Sequence, residues 1–201
     1  MVVVISSPIA VTNEAAIINA LFDEGLEILH VRKPNIGVNE IRILVEKIKT
    51  QHHHRISLHQ HHELAGEFGT KRLHFSEVNR KEMSAEELIL KATNHILSTS
   101  IHQVEEYDGL PNLYNYTFFG PVFNSISKQG YTSTLSDDFV FPVQVNHPRV
   151  IAIGGIDATN IQQAMGMKFN GIAVVGAIWQ NPVESIQQFN ALQKAWMQTG
   201  R

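Results

Sequence analysis

Short apolar, β-branched runs alternate along the chain with segments whose apolar residues recur at helical spacing. The runs at residues 2–7, 27–32, 55–60, 72–77, 95–100, 114–123, 149–156 and 171–179 read as strands. Between them lie helical patterns: residues 13–24, apolar at 16, 17, 20, 21 and 22 before Gly25, and residues 37–50, apolar at 38, 41, 44, 45 and 48. Residues 62–69 form a short helix ended by Gly69, residues 83–93 a longer one, and residues 101–110 hold a single helical turn. Residues 159–169 follow the seventh strand. The last segment, 181–198, is amphipathic, with apolar positions at 183, 186, 189, 192, 195 and 196. Strand-then-helix units imply parallel strands with helical crossovers, and eight is the number that closes on itself, so the pattern predicts one small (β/α)8 TIM barrel over residues 1–201. A doubly wound open sheet is the rival, but Ser6-Ser7-Pro8 stands where its glycine fingerprint would follow the first strand.

Composition narrows the function. With 201 residues, 43% hydrophobic and 17% charged, the chain buries a full core. A net charge of −3 and a pI near 6.4 give no general pull toward nucleic acid or anionic membrane, so any bound anion is held by local design. No cysteine is present, which removes disulfides, thiolate catalysis and cysteine zinc sites and fits a reducing cytoplasm. The apolar run at the start is too short for a signal peptide or a membrane span. A soluble cytoplasmic protein is expected; a homo-oligomer is left open.

In a barrel of this kind the site lies at the C-terminal strand ends. Those ends carry Ser6, then His30 and Arg32, His59 and Gln60, His74 and Ser76, Ser98 and Ser100 with His102 just after, Gly120, Gly154 and Gly155, and Gly176. Glycines after the seventh strand and within the eighth fall where barrels build phosphate sites from backbone N–H groups, which makes Gly154, Gly155 and Gly176 candidate phosphate ligands. The competing account is that they simply make tight turns. The loop SISKQG, residues 125–130, reads as a flap over charged oxygens through Ser125, Ser127 and Lys128.

Six of the eleven histidines fall within residues 52–62. Strand alternation sends His59 and Gln60 to opposite sides, while His52, His53 and His54 close one helical segment and His61 and His62 open the next, so these six do not converge on an ion. Histidines at a helix C-terminus are mildly favourable, and that accounts for the first three. No metal site is assigned from the run, and His59 is its member expected to reach the pocket. His102, just past the fifth strand with Ser98 and Ser100 to orient it, is the preferred proton-transfer residue, against the alternative of an exposed histidine capping the next turn. His74 is either a second rim group or a satisfied structural histidine.

The run TFFGPVFNSISKQGY resembles Y-x-x-x-G-P-[VI]-F-x-T-x-[ST]-K-x-G of thiamine phosphate synthases (thiamine-phosphate pyrophosphorylases) and their thiazole tautomerase relatives. VIAIGGID with GIAVVGAI resembles the phosphate-binding ends of their last two strands, LHVRKP stands where they carry Q-[LM]-R-x-K, and STSIH resembles their S-x-H. The resemblance implies a role in thiamine biosynthesis. The synthase joins hydroxymethylpyrimidine diphosphate to thiazole phosphate and expels pyrophosphate. The tautomerase moves a proton on a thiazole carboxylate phosphate. On this chain the resemblance places thiazole phosphate at Gly154, Gly155 and Gly176, sets Arg32 and Lys128 toward diphosphate or carboxylate, and lines the reaction centre with Ser100 and His102. His30, His59, Gln60, His74, Ser125 and Ser127 complete the expected substrate contacts.

The departures fall on the magnesium side. His59-Gln60 stands where the synthases have Asn-Asp, and HFSEVN, with Glu77 and Asn79, replaces H-L-G-Q-x-D. Mg2+ favours anionic oxygens, so amides at both places remove charge from its shell, and pyrophosphate would lose its neutraliser. The lysine of the second strand falls on Pro34, leaving Lys33 one place early and pointing away. These losses favour tautomerase-type proton transfer, which needs no cofactor, or a weakened synthase. The alternatives are a genuine Mg2+-dependent synthase and a noncatalytic phosphate-ligand-binding barrel.

Overall fold

The computed structural model describes residues 1–124, 135, 136 and 138–198. Eight parallel strands close into a barrel in sequence order: β1 (Val2–Ile5), β2 (Ile28–Val31), β3 (Ile56–Leu58), β4 (Arg72–Phe75), β5 (Ile96–Ile101), β6 (Tyr114–Phe119), β7 (Arg149–Ile153) and β8 (Gly171–Val174). β8 pairs with β1 through Ala173↔Val3, which closes the ring. Helices cover the outside: α1 (Glu14–Asp23), α2 (Val38–Glu46), α3 (Leu64–Phe68), α4 (Glu77–Glu82), α5 (Ala85–Asn94), α6 (Ile161–Gly166), α7 (Gly176–Trp179) and α8 (Ser185–Met197). None of the helices among the described residues is long and apolar enough to cross a membrane.

Alternation along each strand sorts side chains into two layers. Val2, Val4, Leu29, Val31, Ile56, Leu58, Leu73 and Leu97 join the layer between sheet and helices, where they meet Ile18, Leu21, Ile41, Val45 and Phe189. Each such side chain, once fully buried, contributes about 1.5–3 kcal/mol. A smaller cluster of Val3, Ile5, Ile28, Tyr116, Phe118, Ile151 and Ala173 fills the rest of the interior.

Two elements depart from the sequence pattern. The apolar run at 171–179 is not one strand: β8 stops at Val174, and α7 starts at Gly176. An apolar run of that length has no periodicity to separate strand from helix, and tertiary packing decides. Trp179, at the end of α7, is buried and donates its indole N–H to the Ile5 carbonyl at 2.7 Å. The polar segment EVNRKE, which has no apolar stripe to predict a helix, forms α4 because Ser76 caps it, accepting from the Asn79 amide at 3.2 Å. The next helix, α5, carries a capping box between Ser84 and Glu87.

Candidate functional site

The mouth formed by β2 to β5 is lined with polar groups. His30 on β2 and His74 on β4 point inward and are almost fully buried, and His59, just past β3, sits half-buried above them. Register makes this arrangement: His30 is level with Ser57, two residues before His59, and His74 is level with Ser98 on β5. His30 Nδ1 lies 2.8 Å from His59 Nε2, and its Nε2 lies 2.7 Å from the Tyr116 hydroxyl. His74 shares one nitrogen with Ser98 at 3.0 Å and the other with Ser100 at 3.1 Å. The His59 and His74 rings stack with centroids 4.0 Å apart. Burial, reinforced by neighbouring cations and by one another, holds all three imidazoles neutral. For His74 burial, then His62 and Arg32, lower the pKa to about 3.

This corrects one expectation. Ser98 and Ser100 orient His74, not His102, because both serines face inward from β5, beside the inward side chain of the neighbouring strand. His102 lies past the end of β5, exposed at the rim, and donates Nδ1–H to the Gly120 carbonyl at 2.8 Å. That bond fixes the tautomer and leaves Nε2 as the basic nitrogen, 4.0 Å from a Glu77 oxygen. The His102 amide donates to Glu106 at 3.0 Å. Amides at 102 and 103, Lys81 and Arg80 all act on the Glu106 carboxylate, so although burial alone would raise its pKa, it is held down to about 2.

The other members of the histidine run are structural. His53 donates to carbonyls at the C-terminal end of α2, 2.9 Å from Ile48 O and 3.1 Å from Val45 O, and His52 stacks on Phe22. His62 bridges the Leu58 and His74 carbonyls, tying β3 to β4. His61 takes positive φ at 54° and lies 3.3 Å from the Ile36 carbonyl.

The residues at the magnesium positions are committed elsewhere. Gln60 clasps the backbone of Lys33, accepting from its amide at 3.3 Å and donating to its carbonyl. The Asn79 side chain accepts from Ser76 at the cap of α4, and Glu77 pairs with Lys81. Lys33 points away from the mouth into a buried pair with Glu14, 2.7 Å and 2.5 Å to its oxygens, and also donates to the Ile9 carbonyl. This donor set does not fit a magnesium shell. Arg32 is half-buried at the end of β2, and its charge acts on both His59 and His74.

Past β7 the backbone turns through Gly154 and Gly155, with φ of 102° and 64°. A Cβ at Gly154 would meet Pro121 at 2.8 Å, and one at Gly155 would meet the Asn124 carbonyl at 2.6 Å. Both glycines therefore admit the segment after β6, whose Val122 and Phe123 amides bond the carbonyls of Ile153 and Gly154. The Asn160 side chain holds the Gly155 carbonyl at 2.7 Å, and Gly176 is the first residue of α7. Ser125, Ser127 and Lys128 lie outside the described residues.

A closed parallel barrel with its polar side chains gathered at the C-terminal mouth is the TIM-barrel arrangement, in which strand ends and following loops supply the site. The family described as thiamine monophosphate synthase matches residues 1–178, and the chain belongs to it. Thiamine-phosphate synthase from Histophilus somni is 30% identical over 123 residues, 59% of this chain and 54% of that protein. The Staphylococcus saprophyticus enzyme is 27% identical over 132 residues, 63% and 60%. The matched stretch thus spans little more than half of these relatives. Among solved structures, thiamine phosphate pyrophosphorylase from Bacteroides thetaiotaomicron aligns with a TM-score of 0.74 at 28% identity, covering 97% of this chain and 96% of that one. The Pyrococcus furiosus protein aligns at 0.76 with 18% identity over 96% and 94%, a likeness of fold.

Proposed function

We propose that the protein is a thiamine-biosynthesis enzyme that binds a phosphorylated thiazole at the C-terminal mouth and moves a proton on it. The observation that carries this reading is the fate of the two magnesium positions: the Gln60 side chain holds the backbone of Lys33, and the Asn79 side chain accepts from Ser76, the cap of α4. A reaction that expels pyrophosphate loses its charge neutraliser there, whereas a proton transfer needs none. His102 supplies the base. With Nδ1–H bound to Gly120, its Nε2 takes a proton from the ring carbon acidified by the adjacent carboxylate and returns it to a conjugated carbon outside the ring, which leaves the ring aromatic. Arg32 faces the substrate carboxylate. The backbone at Gly154, Gly155 and Gly176, with Ser125, Ser127 and Lys128 of the segment after the sixth strand, would take the phosphate.

The test is direct. Purified protein given thiazole carboxylate phosphate alone is expected to isomerise it, followed by NMR or by the ring's ultraviolet absorbance. His102→Ala is expected to lower that rate about 10²–10⁴-fold. Pyrophosphate release from hydroxymethylpyrimidine diphosphate, thiazole phosphate and Mg2+ at a rate exceeding isomerisation would overturn the reading in favour of a synthase. Saturable binding of thiazole phosphate with no turnover in either assay would make the protein a phosphate-ligand binder.

A further inference from the structure

We propose that His30, His59 and His74 form a binding site for a transition-metal ion, Zn2+ foremost, at the floor of the barrel mouth, with its fourth position open toward Arg32. One nitrogen from each ring lies within 4.8 Å of the other two, and these histidines are the group so arranged among the described residues. They come from β2, from just past β3 and from β4, so three neighbouring staves of a rigid barrel fix them. Gln60 and Asn79 are not among these three residues, although His59 adjoins Gln60, and the ligands are of the opposite kind to those of a magnesium shell. Imidazole nitrogens suit zinc, copper, nickel and iron, while magnesium requires oxygens.

Two features support ligation. The second nitrogen of a ligating histidine normally bonds an outer group that fixes its orientation. Here the His30 Nε2 that faces away from His59 meets Tyr116 at 2.7 Å, and His74 has Ser98 and Ser100 on its two nitrogens, so either remains as an anchor when the other binds metal. Finally, the interior has an inexpensive alternative that the chain does not use. On other strands the inward positions are Val3, Ile5 and Ile151, which fill space without any hydrogen-bonding requirement.

The geometry also says what binding must change. Zinc–nitrogen bonds of about 2.0–2.1 Å in tetrahedral array place nitrogens about 3.4 Å apart. The His30–His59 contact of 2.8 Å must open, and any pair near the 4.8 Å limit must close. His59, half-exposed beyond its strand, supplies the movement by turning out of its stack with His74. Arg32 and Arg72 oppose a further cation, so the ion draws an anionic oxygen into the open position, from hydroxide or from a bound carboxylate or phosphate.

The inference does not depend on the thiazole reading, because its test reads metal alone. Chelator-stripped protein is titrated with Zn2+ in a calorimeter and with Co2+ in a spectrophotometer. One ion per chain is expected at micromolar affinity or tighter, with the intense visible bands of four- or five-coordinate Co2+. His59→Ala, at the rim, and His74→Asn are each expected to weaken binding at least about tenfold while circular dichroism stays unchanged. His54→Ala and His61→Ala leave it intact. Binding abolished by the latter pair and kept by His59→Ala would assign the ion to the surface histidines and overturn the proposal. Millimolar affinity in the parent protein, or a pale octahedral Co2+ spectrum, would overturn it as well.

Discussion

The interior of the barrel divides into two halves of different chemistry. From β6 round to β1 it is filled by Phe118, Ile151, Ala173, Val3 and Ile5, with the Tyr116 hydroxyl aimed across at His30. From β2 to β5 the inward positions are mainly polar, His30, Ser57, Arg72, His74, Ser98 and Ser100, with Ile28 at the start of β2 joining the apolar cluster. Both halves hang on the same ladder of parallel strands, so backbone bonding does not separate them. The apolar half draws stability from burial. The polar half recovers in hydrogen bonds part of what desolvation takes, and what it adds is a set of neutral nitrogens and hydroxyls at a mouth that receives ligands.

The comparison breaks most visibly in the apolar half. Ile151, with no exposed surface, is expected to cost about 2–5 kcal/mol when replaced by Ala, measured by urea unfolding, while the remaining folded protein keeps its turnover. His74→Leu is expected to cost less, about 1–3 kcal/mol, because Leu fills most of the ring's volume and the loss is that of partners for Ser98 and Ser100. If His74→Leu destabilised as much as Ile151→Ala, the polar half would carry stability on its own account, and the division would be wrong.

A smaller effect comes from the outer edge of the polar half. Glu106 receives the amides of His102 and Gln103 and pairs with Arg80 and Lys81. Its pKa in the folded chain, about 2, lies below the ordinary 4.5. A depressed carboxylate adds stability that is fully present above pH 4.5 and is lost as pH falls from there toward 2. Glu106→Gln keeps an acceptor for the two amides but removes the titration, so its stability should fall less steeply than the parent's across that window. At neutral pH the cost is expected to be about 1 kcal/mol or less. Parallel acid titrations of the two proteins, followed by circular dichroism, would show coincident slopes if the carboxylate were not the cause.

The halves were not equally readable in the chain. Strands such as VVVI and RVIAI declare themselves by composition and spacing, and so the barrel follows from local pattern. β8 and α7 share one apolar run, and nothing local marks the change at Gly176. The histidine cluster is harder still, because it depends on register between separate strands, with His30 and His59 29 positions apart and His74 a further 15 along. The crowded run at 52–62 draws attention, yet five of its six members serve caps, loops and surface, and the sixth meets two isolated histidines from other strands. The legible signal was a histidine at an inward position near the end of both β2 and β4, in ILHV and RLHF, flanking a third just past β3. Proximity in sequence ties Ser98 and Ser100 to His102. Applying strand parity to β4 and β5 together points them at His74 instead.

The smallest stability change is expected where the proposed chemistry is most concentrated. His102 is exposed at the rim, and its ring makes one hydrogen bond, to Gly120, while Glu106 holds its backbone whatever the side chain. Removing the ring leaves no cavity, and the Gly120 carbonyl can turn to water, so His102→Ala should shift unfolding by no more than about 0.5 kcal/mol. The Asn variant sharpens the point further. An amide donor can replace Nδ1–H toward Gly120 but offers no basic nitrogen, so His102→Asn should keep stability and ligand affinity and still lose proton transfer. Isomerisation retained in His102→Asn would show that the imidazole orients the rim without exchanging a proton, and the base would have to be sought among the neutral rings of the polar half.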